Sequence, residues 1–109
     1  MNNIRTVDLI GFAGGILREH MTTYEWRPVD PSGKSYNITI KIKIYRLSAN
    51  QYDAVPSHMV KSAEQLRPYL SLASQDTPEK AAQECIRGMK KFMREAAETA
   101  WPLNEEFTE

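Results

Sequence analysis

One cysteine, two histidines and a net charge of zero leave this 109-residue sequence little obvious chemistry, and each shortage excludes something. A lone Cys85 cannot form an internal disulfide, and its position in an apolar pattern suits a small buried hydrophobe in a reducing compartment. Lysine plus arginine balance aspartate plus glutamate at 14 each, so the overall charge draws the chain neither to nucleic acid nor to an anionic membrane. No run approaches the roughly 18 consecutive apolar residues that a membrane span needs. The start, MNNIRTVDLIGFAGG, has only a superficial likeness to a signal peptide, because Asp8 interrupts the apolar run. The expectation is a cytoplasmic, single-domain protein with no membrane association.

Catalytic and metal-binding patterns are equally sparse. His20 and His58 lie at no metal-ligand spacing with each other or with Cys85. Ser57 and His58 are adjacent, whereas catalytic Ser–His partners meet through the fold, so adjacency adds nothing. Glu19, Glu25, Asp53 and Glu64 offer no reason to choose any carboxylate pair. Gly11, Gly14 and Gly15 lack the following Gly-Lys-Ser/Thr that would cradle a phosphate. No catalytic residue, metal site or cofactor is expected.

The clearest element present is Thr77–Trp101, which reads as one long helix. Thr77 suits the N-cap, Pro78 the first helical position and Glu79 the positive end of the dipole. Ala82, Cys85, Ile86, Met89, Phe92, Met93, Ala96, Ala97 and Ala100 recur at helical spacing, and Trp101-Pro102 stops the pattern. Ile4 to Met21 reads as a second, N-terminal helix, apolar on more than one side despite Gly14-Gly15.

Between them the sequence reads as strands. Thr22 to Val29 is rich in types that favour a pleated surface, and Asp30-Pro31-Ser32-Gly33 is a turn. Tyr36 to Leu47 then alternates: Ile38, Ile40, Ile42 and Ile44 point one way, Asn37, Thr39, Lys41, Lys43 and Tyr45 the other. Gln51 to Val60 and Pro68 to Ala73 supply further strand segments, Lys61 to Arg67 is polar, and the acidic tail after Pro102 is expected to fray. The fold class expected is α+β, an antiparallel three- to four-stranded sheet packed against a long C-terminal helix and an N-terminal helix.

From residue 36 to residue 101 the pattern resembles the N-terminal domain of the HicB antitoxin family. The residues that carry the likeness are the alternating YNITIKIKIYRL, then Tyr52-Asp53-Ala54-Val55-Pro56, then the helix start Thr77-Pro78-Glu79-Lys80-Ala81. The resemblance implies the fold first, and with it a stand-alone regulatory module that binds a protein. The same order of elements also resembles double-stranded-RNA-binding domains, although Asp76 and Glu79 stand where lysines would meet phosphate.

Two function classes follow. A protein-interaction or regulatory module is favoured, because Ile4 to Leu17 carries more apolar surface than one sheet face can cover. Leu9, Phe12 and Ile16 are its candidate contacts with a second copy or a small protein partner. The alternative is a nucleic-acid-binding module using Tyr36, Lys41, Lys43 and Tyr45 as a basic, aromatic ladder on the outer sheet face.

Overall fold

The computed structural model describes residues 17–71 and 73–107. Strand β1 is Glu19–Trp26, β2 is Ile40–Ser48 and β3 is Gln51–Pro56. After them come a two-residue β4, Lys61–Ser62, the short β5, Ala73–Gln75, and helix α1, Pro78–Lys90. A single 3-10 turn, Ala96–Glu98, leads into β6, Thr99–Ala100. The main sheet runs β1-β2-β3-β5, every pairing antiparallel, and β4 pairs with β6 in a separate ribbon.

The alternation in β2 governs the core. Ile40, Ile42 and Ile44 are completely buried, each contributing roughly 1.5–3 kcal/mol on burial. Their neighbours in the core are Tyr52 and Ala54 of β3, Val60, and Ala81, Ala82, Cys85 and Met89 of α1. Regular pairing starts at Ile40 rather than Tyr36, because Asn37 takes a left-handed conformation, φ 57°, which asparagine tolerates better than most residues. The turn before it forms as its residues dictate: Gly33 has φ 88°, and Gly33 N donates to Asp30 O at 2.8 Å.

The expectation of two flanking helices is corrected at both. The C-terminal helix starts as predicted, with Thr77 Oγ1 accepting from Lys80 N at 3.2 Å, but it has 13 residues and stops at Lys90. The chain then tightens, Phe92 N donating to Met89 O at 3.0 Å. Arg94 N is taken by Thr99 Oγ1 at 2.9 Å, and Glu95 adopts φ −56°, ψ 154°, outside the helical region. Ala96, Ala97 and Ala100 kept the helical period but have little surface to bury. Trp101 decides the path instead, packing edge-on to Trp26 at 6.3 Å and Tyr36 at 5.1 Å.

The N-terminal helix predicted to reach Met21 is contradicted at its end, since Glu19, His20 and Met21 open strand β1. Here pairing with β2 overrides the apolar period, and Met21 sits in a bulge between His20 and Thr22. Residues 4–16 of that expectation lie outside the described residues. Among the described residues α1 is the single α-helix, and it leans on β3, β5 and β2. Gly88 fits that packing: a Cβ there would lie 2.8 Å from Ser71 Oγ and from Tyr69 Oη. No helix among the described residues is long and apolar enough to cross a membrane.

Candidate interaction surfaces

Lys41, Lys43 and Tyr45 share the outer face of the sheet, opposite the buried isoleucines. Across from them on β1 stand Glu25, Thr23 and His20, in that order. Tyr45 is covered: the Arg18 guanidinium lies 3.9 Å above its ring, and the His20 ring meets it edge-on at 5.7 Å. Lys43 Nζ lies 4.5 Å from the centre of the Phe107 ring. Tyr36, the fourth residue of the expected nucleic-acid ladder, is elsewhere. Its ring packs on Trp101, its hydroxyl donates to Arg94 O, and burial raises its pKa above the ordinary tyrosine value.

Phe107 is there because the C-terminal segment folds back instead of fraying. Met59 N donates to Pro102 O at 2.7 Å, and Asn104 N to Ser57 O at 2.9 Å. The Asn104 side chain is buried and donates Nδ2 to Pro56 O at 2.8 Å, while its Oδ1 accepts from Glu106 N at 3.1 Å. The segment thus extends the pairing beyond Pro56, the point at which β3 leaves the ladder. A cleft of about 360 Å³ remains between it and the sheet, lined by Thr39, Lys41, Ser57, His58, Leu103 and Phe107 among others. Sequence reasoning missed this tie, because the burial of Asn104 and its bond to Pro56 O depend on where the segment lands in the fold.

Ser57 and His58 do touch, Oγ lying 2.8 Å from Nδ1. The hydroxyl also accepts from Lys41 N at 2.9 Å, so it is spent on closing the β2–β3 ladder. Burial lowers the pKa of His58 below the ordinary imidazole value. Cys85 is fully buried, its thiol 3.8 Å from Ser71 O, and burial pushes its pKa up to about 11. A protonated, buried thiol is a poor nucleophile. No cluster of three or more metal-ligating side chains occurs among the described residues.

The other surface is β1. Its partners on β2 place Thr22, Tyr24 and Trp26 on the isoleucine side. Trp26 reaches the core, but Tyr24 is 36% exposed and Met21 38% exposed. Strand β1 forms one edge of the sheet among the described residues. The predicted contacts Leu9, Phe12 and Ile16 lie outside the described residues, on the segment that runs into this strand.

Comparison of the chain with models of protein families, with curated proteins and with solved structures finds no match.

Proposed function

We propose that the chain is a small protein-interaction or regulatory module without catalytic activity, which self-associates through its N-terminal segment and β1. The observation that carries this is the partly uncovered core side of β1, where Tyr24 is 36% exposed, with Met21 38% exposed in the adjoining bulge. Among the described residues β1 is an eight-residue edge strand with exposed apolar groups, a surface that proteins cover. The apolar residues Leu9, Phe12 and Ile16 precede it directly in the chain. A second copy is the commonest cover, and a small protein partner is the other.

The likeness to a stand-alone HicB-like domain belongs to the same reading. Its support is a β2–β3 hairpin carrying Tyr52 and Ala54 in the core, followed by β5 and a helix capped by Thr77. A lone free cysteine, Cys85, buried in the core, fits the reducing, cytoplasmic setting expected from the sequence. The nucleic-acid reading has less support: Tyr36 is separated from Lys41, Lys43 and Tyr45, and Phe107 lies against Lys43.

Sedimentation at tens of micromolar is expected to report a dimer, with a dissociation constant of roughly 1 μM or tighter. Phe12→Glu and Ile16→Glu should each shift it toward monomer while the circular dichroism of the sheet stays unchanged. A cleanly monomeric wild type would overturn self-association.

A further inference from the structure

We infer that a cavity between α1 and strand β5 binds a small phosphorylated sugar, its phosphate held by Lys91, Arg87 and two hydroxyls that meet over Gly88. The site is independent of the self-association proposed above, because β5 and β1 stand at opposite ends of the strand order.

The cavity measures about 370 Å³, within the range of small-molecule sites, roughly 300–1,000 Å³. One wall is a side of α1 and its C-cap. Glu84, Arg87, Gly88 and Lys91 succeed one another there at helical spacing and so lie in one row. The facing wall is built by Tyr69 and Ser71, which precede β5, and by Gln75 within it. Gln75 pairs with Tyr52, a core residue, and therefore shares the sheet face on which α1 packs. Gly88 makes the close approach possible. A Cβ there would stand 2.8 Å from both Ser71 Oγ and Tyr69 Oη, so glycine lets the two hydroxyls converge beside the helix. Both are held in place: the Tyr69 ring packs on Phe92 with centroids 4.4 Å apart, and Ser71 is 3% exposed.

The lining is rich in hydrogen-bond donors. The Lys91 ammonium and the Arg87 guanidinium only donate, and the Gln75 amide and both hydroxyls can donate as well. Two cations stand against one carboxylate, Glu84, which pairs with Arg87. A ligand that completes this set carries negative charge and several acceptor oxygens, and a phosphate monoester has both. Arg87 keeps N–H groups besides the one bonded to Glu84, and their fork geometry matches phosphate oxygens. Small-molecule sites are mostly apolar, whereas this lining is polar nearly throughout. A body bearing hydroxyls, such as a sugar, suits it better than an aromatic ring.

The test is a nuclear magnetic resonance titration of the full chain with ribose 5-phosphate, ribose and inorganic phosphate in parallel. Ribose 5-phosphate is expected to shift the Gly88 and Lys91 amides saturably, with a dissociation constant of about 1 mM or tighter. Inorganic phosphate should shift the same amides more weakly, and ribose should leave them unmoved. Lys91→Gln should weaken binding about tenfold, the loss of one charge-assisted hydrogen bond. Tyr69→Phe keeps the ring on Phe92 and removes only the hydroxyl, and should weaken binding about fivefold. Lys90→Gln, on the exposed face outside the cavity, should leave binding unchanged. No saturable shift in the millimolar range overturns the site. Equal weakening by Lys90→Gln and Lys91→Gln overturns it too, since it would reduce the effect to diffuse surface charge. Binding of ribose as tight as that of ribose 5-phosphate overturns the phosphate assignment. The oligomeric state enters none of these outcomes, so self-association stands or falls separately.

Discussion

Asp30 ties together two parts of the molecule that the sequence shows as unrelated. Its Oδ1 accepts from Ser32 N at 2.9 Å, Ser32 Oγ at 2.6 Å and Lys34 N at 2.8 Å, which closes the turn. Its Oδ2 accepts from Ala96 N at 3.2 Å, 66 residues away, at the start of the 3-10 turn. The Ser32 hydroxyl is the largest influence holding its pKa below the ordinary carboxylate value, against the opposing effect of burial. A carboxylate with a depressed folded pKa stabilises fully above its unfolded value, about 3.9, and loses that contribution as pH falls through the folded pKa. Asp30→Ala should therefore lower the melting temperature at pH 7, and its deficit relative to wild type should shrink below about pH 4. Thermal melts from pH 7 to pH 2 check this, and a constant deficit would show that the carboxylate charge is not the cause. The turn was legible because aspartate, proline, serine and glycine each have a local reason to be there. The bond to Ala96 was not, since it depends on where a distant segment ends up.

Helix α1 shows how far periodicity reads. Its start was legible from Thr77, Pro78 and Glu79, which act through local hydrogen bonding and dihedral preference. Its apolar stripe was legible through Cys85 and Met89, both fully buried. Its end was not, because alanines continue any helical period at no cost while Trp101 has better partners in Trp26 and Tyr36. Met89→Asp is expected to cost at least about 4 kcal/mol, a charge replacing a core side chain. Lys90→Ala, on the exposed face, should change stability by less than about 0.5 kcal/mol. Denaturant titration separates the two, and similar midpoints would mean that the helix presents another face. Strand β2 was the most legible element, its period of two dividing core from solvent without error from Ile40 to Ile44. For β1 the residue types were legible from Thr22 onward, but its first residues were hidden under a helical pattern that the bulge at Met21 cancels.

At the scale of the whole molecule, the C-terminal segment closes the structure against the outer end of β2 and β3. Ending the chain after Pro102 removes the bonds from Asn104 to Pro56 O and Ser57 O and the Phe107 ring beside Lys43. Two such bonds amount to roughly 1–3 kcal/mol, and the truncated chain should lose about that much in urea titrations while keeping its far-ultraviolet spectrum. An unchanged midpoint would show that the segment only rests on the sheet. The sequence read this segment as a charged, frayed tail. Composition does suggest that, but the unpaired edge beyond Pro56 accepts it all the same.

The same long-range ties set an order of events during synthesis. The β2–β3 hairpin is local and can close as soon as it leaves the ribosome, with Ile40, Ile42 and Ile44 along one side. The groups that fasten its surroundings come 48 residues later for Asn104 on Pro56, 58 for Arg94 on Tyr36 and 66 for Ala96 on Asp30. At about 5–20 residues per second the nascent hairpin waits some seconds with its greasy side open. During that interval a neighbouring nascent chain competes with the protein's own helix, and translation speed through codons 57–104 becomes a determinant of yield.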